Sequence, residues 1–172
     1  MRINAFDDGL CPELLEHSFY DGILEIPRLE PMTQIIEPIG LVPFSKRSKA
    51  KDRFVHFYEH ESHYQDFTNH PEKYVSELQN HPGIISPDNS IFVDAPLCAQ
   101  IANLFLSRRN ASFLQHCGIY QIPNVRWGDE RTFTTIELPE AVAFVFYPCH
   151  KNICPNQSHL IPEPNFLELP IL

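Results

Sequence analysis

The chain has 172 residues, of which 43% are hydrophobic and 13 are phenylalanines, so it is long enough for one domain with an apolar core and too apolar to stay disordered. Its 22 acidic and 13 basic residues give a formal net charge of −9, which argues against nonspecific nucleic-acid binding and favours basic protein partners or simple solubility. The one basic run, residues 46–53, is interpreted as a solvated linker in preference to a phosphate-contacting patch.

Cysteine usage and the apolar runs indicate the compartment. The five cysteines are odd in number and form no C-x-x-C pair, and residues 1–8 lack the apolar stretch of a signal peptide. No apolar run approaches membrane-spanning length. The expectation is a reduced, soluble, cytoplasmic protein that does not enter a membrane.

Prolines divide the single predicted domain into three parts. Residues 1–53 carry prolines between short apolar pieces, which predicts an irregular segment packed on the core. Residues 54–147 alternate apolar strands with helical patterns and form the predicted α/β core. Residues 148–172 are again rich in proline and are expected to form a mostly extended tail.

Four apolar segments of the core are predicted strands. They are residues 54–58, 83–86, 119–122 and 141–147, chosen for their β-branched and aromatic content. Their starts lie roughly 20–35 residues apart, the spacing of strand–helix units, and the last is a continuous apolar run of the kind that parallel sheets bury on both faces. The sequence therefore predicts an α/β fold with a small, mostly parallel sheet that is either open or resembles part of a barrel.

Two helices are predicted between these strands. The first covers residues 71–79, with Pro71 in its first turn. The second covers residues 96–117, is capped by Asp94 or a neighbour, and ends at Gly118. An apolar stripe along it includes Leu97, Ile101, Leu104, Phe105, Phe113, Leu114 and Cys117. The segment 132–138 has the pattern of either a strand or a short helix.

Polar residues follow each predicted strand, where parallel α/β folds place their ligand sites. His56 and Glu59 follow the first strand, and Asp88 and Asn89 follow the second. Because carboxylates beside an imidazole and a guanidinium are suited to acid–base chemistry, these positions form part of the predicted site. The alternative is structural, since polar residues at strand ends also cap helices, and residues 87–90 make a good turn sequence.

The strongest candidate is the segment after the third strand, residues 124–130. It places an amide, a guanidinium, the only tryptophan and two carboxylates behind an apolar run, which is more than a simple chain reversal requires. The candidate catalytic residues are Asp88, Asn124, Arg126, Asp129 and Glu130. The candidate substrate-binding residues are His56, Glu59, Asn89, Trp127 and Arg108.

A cluster of possible zinc ligands follows the fourth strand and consists of Cys149, His150, Cys154 and His159. The spacing matches no common zinc finger or ribbon, so a metal site here is the weaker interpretation. A divalent ion at Asp88 and Asp129 is a further hypothesis. No glycine-rich nucleotide-cofactor loop, phosphate loop or serine nucleophile elbow is present, so the cofactor stays open.

Several ordered motifs between residues 54 and 135 resemble one known family. They are Val55-His56-Phe57-Tyr58, Pro71-Glu72-Lys73-Tyr74, Ile85-Ser86-Pro87-Asp88-Asn89-Ser90, the helix positions Pro96, Gln100, Asn103 and Arg108, and Ile122-Pro123-Asn124-Val125-Arg126-Trp127-Gly128-Asp129-Glu130. At compatible spacings, these motifs resemble the bacterial and phage domain of unknown function numbered 4417. The resemblance implies an α/β protein carried by phages and other mobile elements, and it carries over no catalytic residue.

The chain departs from that family pattern near its C-terminal end. Family members continue beyond the fourth strand into another helix and strand, whereas residues 148–172 are rich in proline here. Either the fold is completed differently, or this is a shortened member of the family. In the second case, the tail is expected to cover or blunt the exposed sheet edge.

Two functions from different classes are consistent with these features. The first is a phage or mobile-element protein with a strand-end site, acting as a hydrolase or transferase on a nucleotide or sugar-phosphate-like substrate. In it, Arg126 holds the anionic group, Asp88 or Glu130 acts as acid or base, and Asn124 orients the substrate. The second is an acidic inhibitor that binds a host protein without catalysis, as an anti-defence protein or nucleic-acid mimic, favoured by the net charge of −9. Either would act in the host cytoplasm if the protein is phage-encoded.

Overall fold

The computed structural model describes residues 11–31, 34–124, 128 and 131–132. Its centre is a four-stranded sheet of β3 (Leu41–Pro43), β4 (Phe54–His56), β5 (Ile84–Ile85) and β6 (Gln121–Ile122), in that order and with every neighbouring pair parallel. The predicted α/β class with a small parallel sheet is confirmed. The order advances by one strand at each crossover, as in the wall of a (β/α) barrel, so no reversal of strand order occurs among the four strands.

Both faces of this sheet are buried, because successive strand residues point to opposite sides. On one face, Val42, Val55 and Ile84 pack with aromatic side chains from the connecting segments. On the other face, Phe54, Ile85 and Ile122 pack against Ile36 and Tyr120. Burial on both faces is the reason that β4 begins with the apolar pair Phe54-Val55 and that β5 consists of Ile84 and Ile85.

The crossovers supply the cover on the first face. Short helical turns follow β4: the 3₁₀ turns Glu61–His63 and Pro71–Tyr74 and the α-helices α1 (Gln65–Asn69) and α2 (Val75–Leu78). A single long helix, α3 (Leu97–His116), connects β5 to β6. It ends at Gly118, whose φ of +78° is the left-handed conformation that glycine adopts without strain.

Three details of the predicted helices are wrong. The helix at 71–79 is divided into a 3₁₀ turn followed by α2, so it is not one continuous α-helix. Asp94 does not cap α3, because the N-cap position is Pro96 and no side chain bonds there. The apolar stripe buries Leu104 and Leu114, but the rest of the buried face is largely polar and includes Gln100, Arg108, Arg109, Asn110 and Ser112. That face packs beneath the strand-end loops, where hydrogen-bonding partners for polar groups are available.

The N-terminal segment contributes more structure than its prolines indicate. A hairpin pairs β1 (Tyr20–Asp21) with β2 (Ile26–Pro27), and β3 forms the outer strand of the main sheet. The segment that was expected to be irregular therefore adds one strand to the sheet. β3 ends at Pro43 and lies at the edge of the sheet. A proline has no N–H to donate, and at an edge this leaves no neighbouring strand without a hydrogen-bond partner.

Several predicted elements lie outside the described residues: the strand at 141–147, most of the segment 132–138 and the tail 148–172. Within the described part of the chain, none of the helices combines the length and the apolar character that crossing a membrane requires.

Candidate functional site

The carboxyl ends of β4, β5 and β6 meet at one edge of the sheet, and side chains there bond the strands to each other. The backbone N–H of Asn124 donates to the Ser86 hydroxyl oxygen at 2.7 Å. The Tyr58 hydroxyl reaches the side-chain oxygen of Asn124 at 3.5 Å. Residues that follow three different strands are therefore in contact, as the parallel arrangement predicts.

A small cavity lies behind this edge, between the segment after β5 and helix α3. Its polar lining consists of Ser86, Asp88, Ser107, Arg108 and Asn124, and its apolar lining includes Ile91 and Leu104. The cavity volume is about 10 Å³, enough for one water-sized group. Three of the predicted site residues, Asp88, Arg108 and Asn124, thus share one space.

Asp88 is fixed in place by bonds along the segment that carries it. Its side chain is buried, and its backbone carbonyl accepts a hydrogen bond of 2.6 Å from the Tyr64 hydroxyl. The next residue, Asn89, bonds twice to Ser107, through its backbone N–H at 2.9 Å and its side-chain oxygen at 3.1 Å. Asn103 then donates to the carbonyl of Ser90 at 2.6 Å. These bonds hold the backbone of residues 88–90 against α3 and Tyr64, so Asn89 positions the segment that carries Asp88.

Two neighbouring arginines of α3 have opposite environments. Arg109 is fully buried, and its guanidinium donates to the Thr68 carbonyl at 2.6 Å and to the Asn110 side chain at 3.0 Å. Arg108 is 7% exposed, yet no described residue lies within hydrogen-bonding or ion-pair distance of its guanidinium. Burial lowers the pKa of Arg108, while the more distant carboxylate of Asp21 acts in the opposite direction. Arg109 is therefore a structural residue, and Arg108 brings a largely desolvated cation to the cavity.

His56 borders the site through Tyr58. Its ring stacks on that of Tyr58 with 5.4 Å between centroids, and its Nδ1 accepts the backbone N–H of Tyr58 at 3.2 Å. Burial lowers the pKa of His56, and the carboxylate of Glu59 only partly opposes this effect. The imidazole is accordingly neutral at pH 7 and acts here as a hydrogen-bond acceptor.

The lowered pKa of His56 predicts a specific pH dependence of stability. The unfolded chain takes up this proton near pH 6.5, about the usual value for histidine, but the folded protein resists it. The His56 contribution to folding is therefore complete above pH 6.5 and is lost as the pH falls through the lower folded pKa. We expect His56→Asn, which keeps an acceptor for Tyr58, to flatten this part of the profile in urea unfolding between pH 8 and 5. An unchanged slope would contradict the assignment.

Glu59 is not among the residues that line the cavity, and it joins the segments that follow β3 and β4. Its carboxylate accepts from the backbone N–H of Ser45 at 2.9 Å and from the Ser45 hydroxyl, and His63 lies 3.5 Å away. Burial acts to raise the pKa of Glu59, but the bonds from Ser45 and the proximity of His63 outweigh it and lower the pKa. The contacts of Glu59 are those of a structural group, although sequence reasoning included it among the binding residues.

The remaining predicted site residues lie outside the described residues: Arg126, Trp127, Asp129, Glu130, Cys149, His150, Cys154 and His159. Gly128 is described, and its backbone N–H donates to the Thr132 hydroxyl at 2.9 Å. A Cβ at Gly128 would overlap the buried Gln100 side chain and lie 2.9 Å from Ile91, so only glycine passes this closely over α3. Within the described ranges, no group of three histidine, cysteine, aspartate or glutamate side chains is arranged to hold a metal ion.

Sequence reasoning missed two cavity residues, Ser86 and Ser107. Ser86 was assigned to the end of a strand, and Ser107 lies on the long helix between Leu106 and Arg108. The available signal was positional, because Ser86 directly precedes Pro87 at a strand end and Ser107 directly precedes Arg108. Tyr58 was counted only as part of a strand and of a family motif, and Tyr64 was not singled out, although their hydroxyls bond Asn124 and the Asp88 backbone.

Comparison with known proteins agrees with these features. The model of the family "Domain of unknown function (DUF4417)" matches residues 18–143, which include the six strands of the described residues and the cavity. The chain is also similar to the "Gene 1 protein" of Mycobacterium phage D29, with 25% identity over 114 residues. That match covers 63% of this chain and 42% of the phage protein, so the chain spans less than half of that relative's length. No solved structure matches the chain. With most of its length matched by the family model, the chain belongs to the DUF4417 family.

Proposed function

We propose that this protein is a hydrolase or transferase of phage or mobile-element origin that acts on a nucleotide or sugar-phosphate-like substrate at the carboxyl ends of β4, β5 and β6. The observation that carries the proposal is the shared cavity of Asp88, Arg108 and Asn124. An acid–base group can transfer protons, and a cation and an amide can stabilise a phosphate-type anion beside it, so the three side chains are suited to such reactions. The similarity to a phage protein supports the proposed origin.

In the proposed reaction, Asp88 acts on the attacking oxygen. Its carboxylate accepts a proton from water or from an acceptor hydroxyl, and that oxygen then bonds to the electrophilic phosphorus or sugar carbon. The leaving oxygen departs with the bonding electron pair and receives the proton from Asp88. Water attack gives hydrolysis, and attack by another hydroxyl gives transfer.

The rigidity of the Asp88 segment supports a catalytic role. Tyr64, Ser107 and Asn103 bond the backbone at Asp88 and at the two residues that follow it, so this segment needs no large rearrangement before the reaction. Asn124 is held in the same manner, by Ser86 through its backbone and by Tyr58 through its side chain. Such preorganisation is a property that catalytic groups share, since reorganisation would add to the activation barrier.

The test compares Asp88→Asn with the wild-type protein on a panel of nucleotides and sugar phosphates. The panel is screened first by thermal unfolding, and turnover of each stabilising ligand is then measured. We expect Asp88→Asn to lower kcat by about 10²–10⁴-fold, the contribution of a general acid–base group, while ligand-induced stabilisation is retained. Asp52→Asn is the matched control, because Asp52 is exposed and lies before β4. Equal turnover by Asp88→Asn and wild type would rule out this role.

A second candidate, an acidic inhibitor that binds a host protein, is favoured by a different observation. The β1–β2 hairpin and its flanks expose Phe19, Tyr20, Ile23 and Leu24, of which Ile23 is 98% exposed. Exposed apolar side chains this close in sequence are typical of protein-binding surfaces. If no compound of the panel raises the unfolding temperature of a protein that is folded, this candidate would be favoured over catalysis.

A further inference from the structure

Arg108 is a buried charge with no compensating partner among the residues that the structure describes. Transferring a cation from water into the interior is unfavourable unless an anion or hydrogen-bond acceptors compensate it. The neighbouring Arg109 follows this rule, with acceptors at 2.6 and 3.0 Å. Arg108 has no such contact among the described residues, and the carboxylate that acts on it at longer range, Asp21, lies 3.6 Å from Arg28. A buried arginine without a described hydrogen-bond or ion-pair partner is suited to bind an anion from outside the protein.

Two other cavity residues also have unused hydrogen-bond donors. The Ser86 hydroxyl oxygen accepts from the Asn124 backbone, and no described residue accepts its proton. The side-chain oxygen of Asn124 is bonded to Tyr58, while its NH₂ group donates to no described residue. Ser107 differs, because both its oxygen and its proton are engaged by Asn89. The cavity therefore presents a guanidinium, a hydroxyl and an amide NH₂, all of them donors.

We infer that Arg108, Ser86 and Asn124 form the anchor for a phosphate-type oxyanion of the ligand. The inference rests on the proposed function and deepens it, because it assigns the substrate's anionic group to this cavity. Arginine presents a planar fork of donors that matches two phosphate oxygens. Since the cavity holds about 10 Å³, a single ligand oxygen enters between the side chains and the rest of the ligand lies outside.

Asp88 sets a condition on this anchor, because it brings a carboxylate to the same cavity. An oxyanion that carries one proton donates a hydrogen bond through that O–H to the Asp88 carboxylate, which offsets like-charge repulsion, whereas a fully ionised oxyanion has no proton to donate. Binding is therefore expected to be tighter for a singly protonated phosphate than for a permanently deprotonated oxyanion such as sulfate.

The basic run at 46–53 is the competing anion-binding surface, and its environment is different. Lys46, Lys49, Lys51 and Arg53 are all exposed. Exposed cations bind anions weakly and lose the interaction in salt, since water and ions screen their charge. Arg53 consequently provides the matched control for Arg108: the same side chain, on the surface.

The experiment measures unfolding temperature and phosphate affinity for the wild type, Arg108→Met, Arg108→Lys and Arg53→Met. The probes are inorganic phosphate and pyrophosphate, with sulfate for comparison and chloride to match ionic strength. At a hundred times its dissociation constant, phosphate should raise the wild-type unfolding temperature by about 5–10 °C. Arg108→Met should weaken phosphate binding at least tenfold and leave the unfolding temperature without phosphate unchanged or higher, because it removes an uncompensated buried charge. Arg108→Lys should bind with intermediate affinity, and Arg53→Met like the wild type.

Two results would overturn the inference. One is a wild-type protein whose unfolding temperature phosphate and pyrophosphate do not change. The other is an Arg108→Met protein that loses stability yet binds phosphate as tightly as the wild type, which would make Arg108 a structural residue. Turnover that depends on Asp88 but not on Arg108 would leave the proposed function in place without this anchor. Phosphate binding that depends on Arg108, with no turnover of any ligand, would support the anchor and remove the proposed chemistry.

Discussion

Replacement of Phe57 by alanine is expected to lower the free energy of unfolding by about 3–5 kcal/mol, the usual loss for a fully buried phenylalanine. Phe57 directly follows β4 and is 1% exposed. Its ring lies 5.0 Å from that of Phe44 and 4.7 Å from that of Phe67, with Tyr64 edge-on at 5.5 Å. Removal of the ring leaves three aromatic neighbours without their common partner.

The same substitution is expected to disturb the candidate site. Tyr64, one of the three neighbours, donates its hydroxyl to the Asp88 carbonyl. A cavity beside the Tyr64 ring lets the ring shift, and the Asp88 segment then loses one of its fixed bonds. Phosphate affinity should therefore fall in Phe57→Ala even under conditions where the variant is folded.

Urea unfolding at 25 °C measures the change, and Phe92→Ala is the matched control. Phe92 is 50% exposed, so its truncation should alter the free energy of unfolding by only about 0.5 kcal/mol. Similar losses in both variants would mean that the aromatic cluster around Phe57 is not part of the core.

Gly83→Ala is expected to lower the free energy of unfolding by about 1–3 kcal/mol, because the added methyl group overpacks the core. A Cβ at Gly83 would lie 2.5 Å from a ring carbon of Phe54 and 2.8 Å from one of Tyr120. Neither ring has room to move. Phe54 is 1% exposed, and the Tyr120 hydroxyl is bonded to the Ile36 N–H at 2.9 Å and to the Gln34 carbonyl. The backbone before β5 must shift instead, which weakens the bond from the Val55 N–H to the Gly83 carbonyl.

Gly40→Ala separates this packing effect from the general effect of replacing glycine. A Cβ at Gly40 would make only ordinary contacts, the nearest at 3.5 Å to the Arg53 side chain. Because alanine reduces the conformational entropy of the unfolded chain, Gly40→Ala should be neutral or stabilising by up to about 1 kcal/mol. A Gly83→Ala protein as stable as Gly40→Ala would show that the two aromatic rings yield easily.

The parts of the fold that could be predicted were those with strong local signals. The long helix was predicted at 96–117 and is found at Leu97–His116, because Pro96 and Gly118 mark its two ends. The three strands at 54–58, 83–86 and 119–122 were placed correctly but are only two or three residues long. β3 was missed, because three residues of which the last is a proline carry too short a pattern to distinguish a strand from a loop.

The location of the candidate site could be predicted from the sequence, but the set of side chains that form it was harder to predict. Asp88 and Asn124 were found because parallel strands place their following residues together. Arg108 entered through the family resemblance alone, since nothing local shows which of two adjacent arginines faces a cavity. Glu59 follows its strand at the right distance but bonds to Ser45, a partner brought near by β3, which the sequence did not reveal. Which polar groups are satisfied within the protein is a tertiary property, and it decides between structural and ligand-binding roles.

The most direct test of the strand-end site is a phosphate titration followed by the amide signals of the ¹⁵N-labelled protein. We expect the signals of Ser86, Asp88, Asn89, Arg108 and Asn124 to move together along one binding curve, and Arg108→Met to abolish the movement. Shifts confined to residues 46–53 would place anion binding on the exposed basic run and contradict the strand-end site. The same titration therefore distinguishes the two surfaces in one experiment.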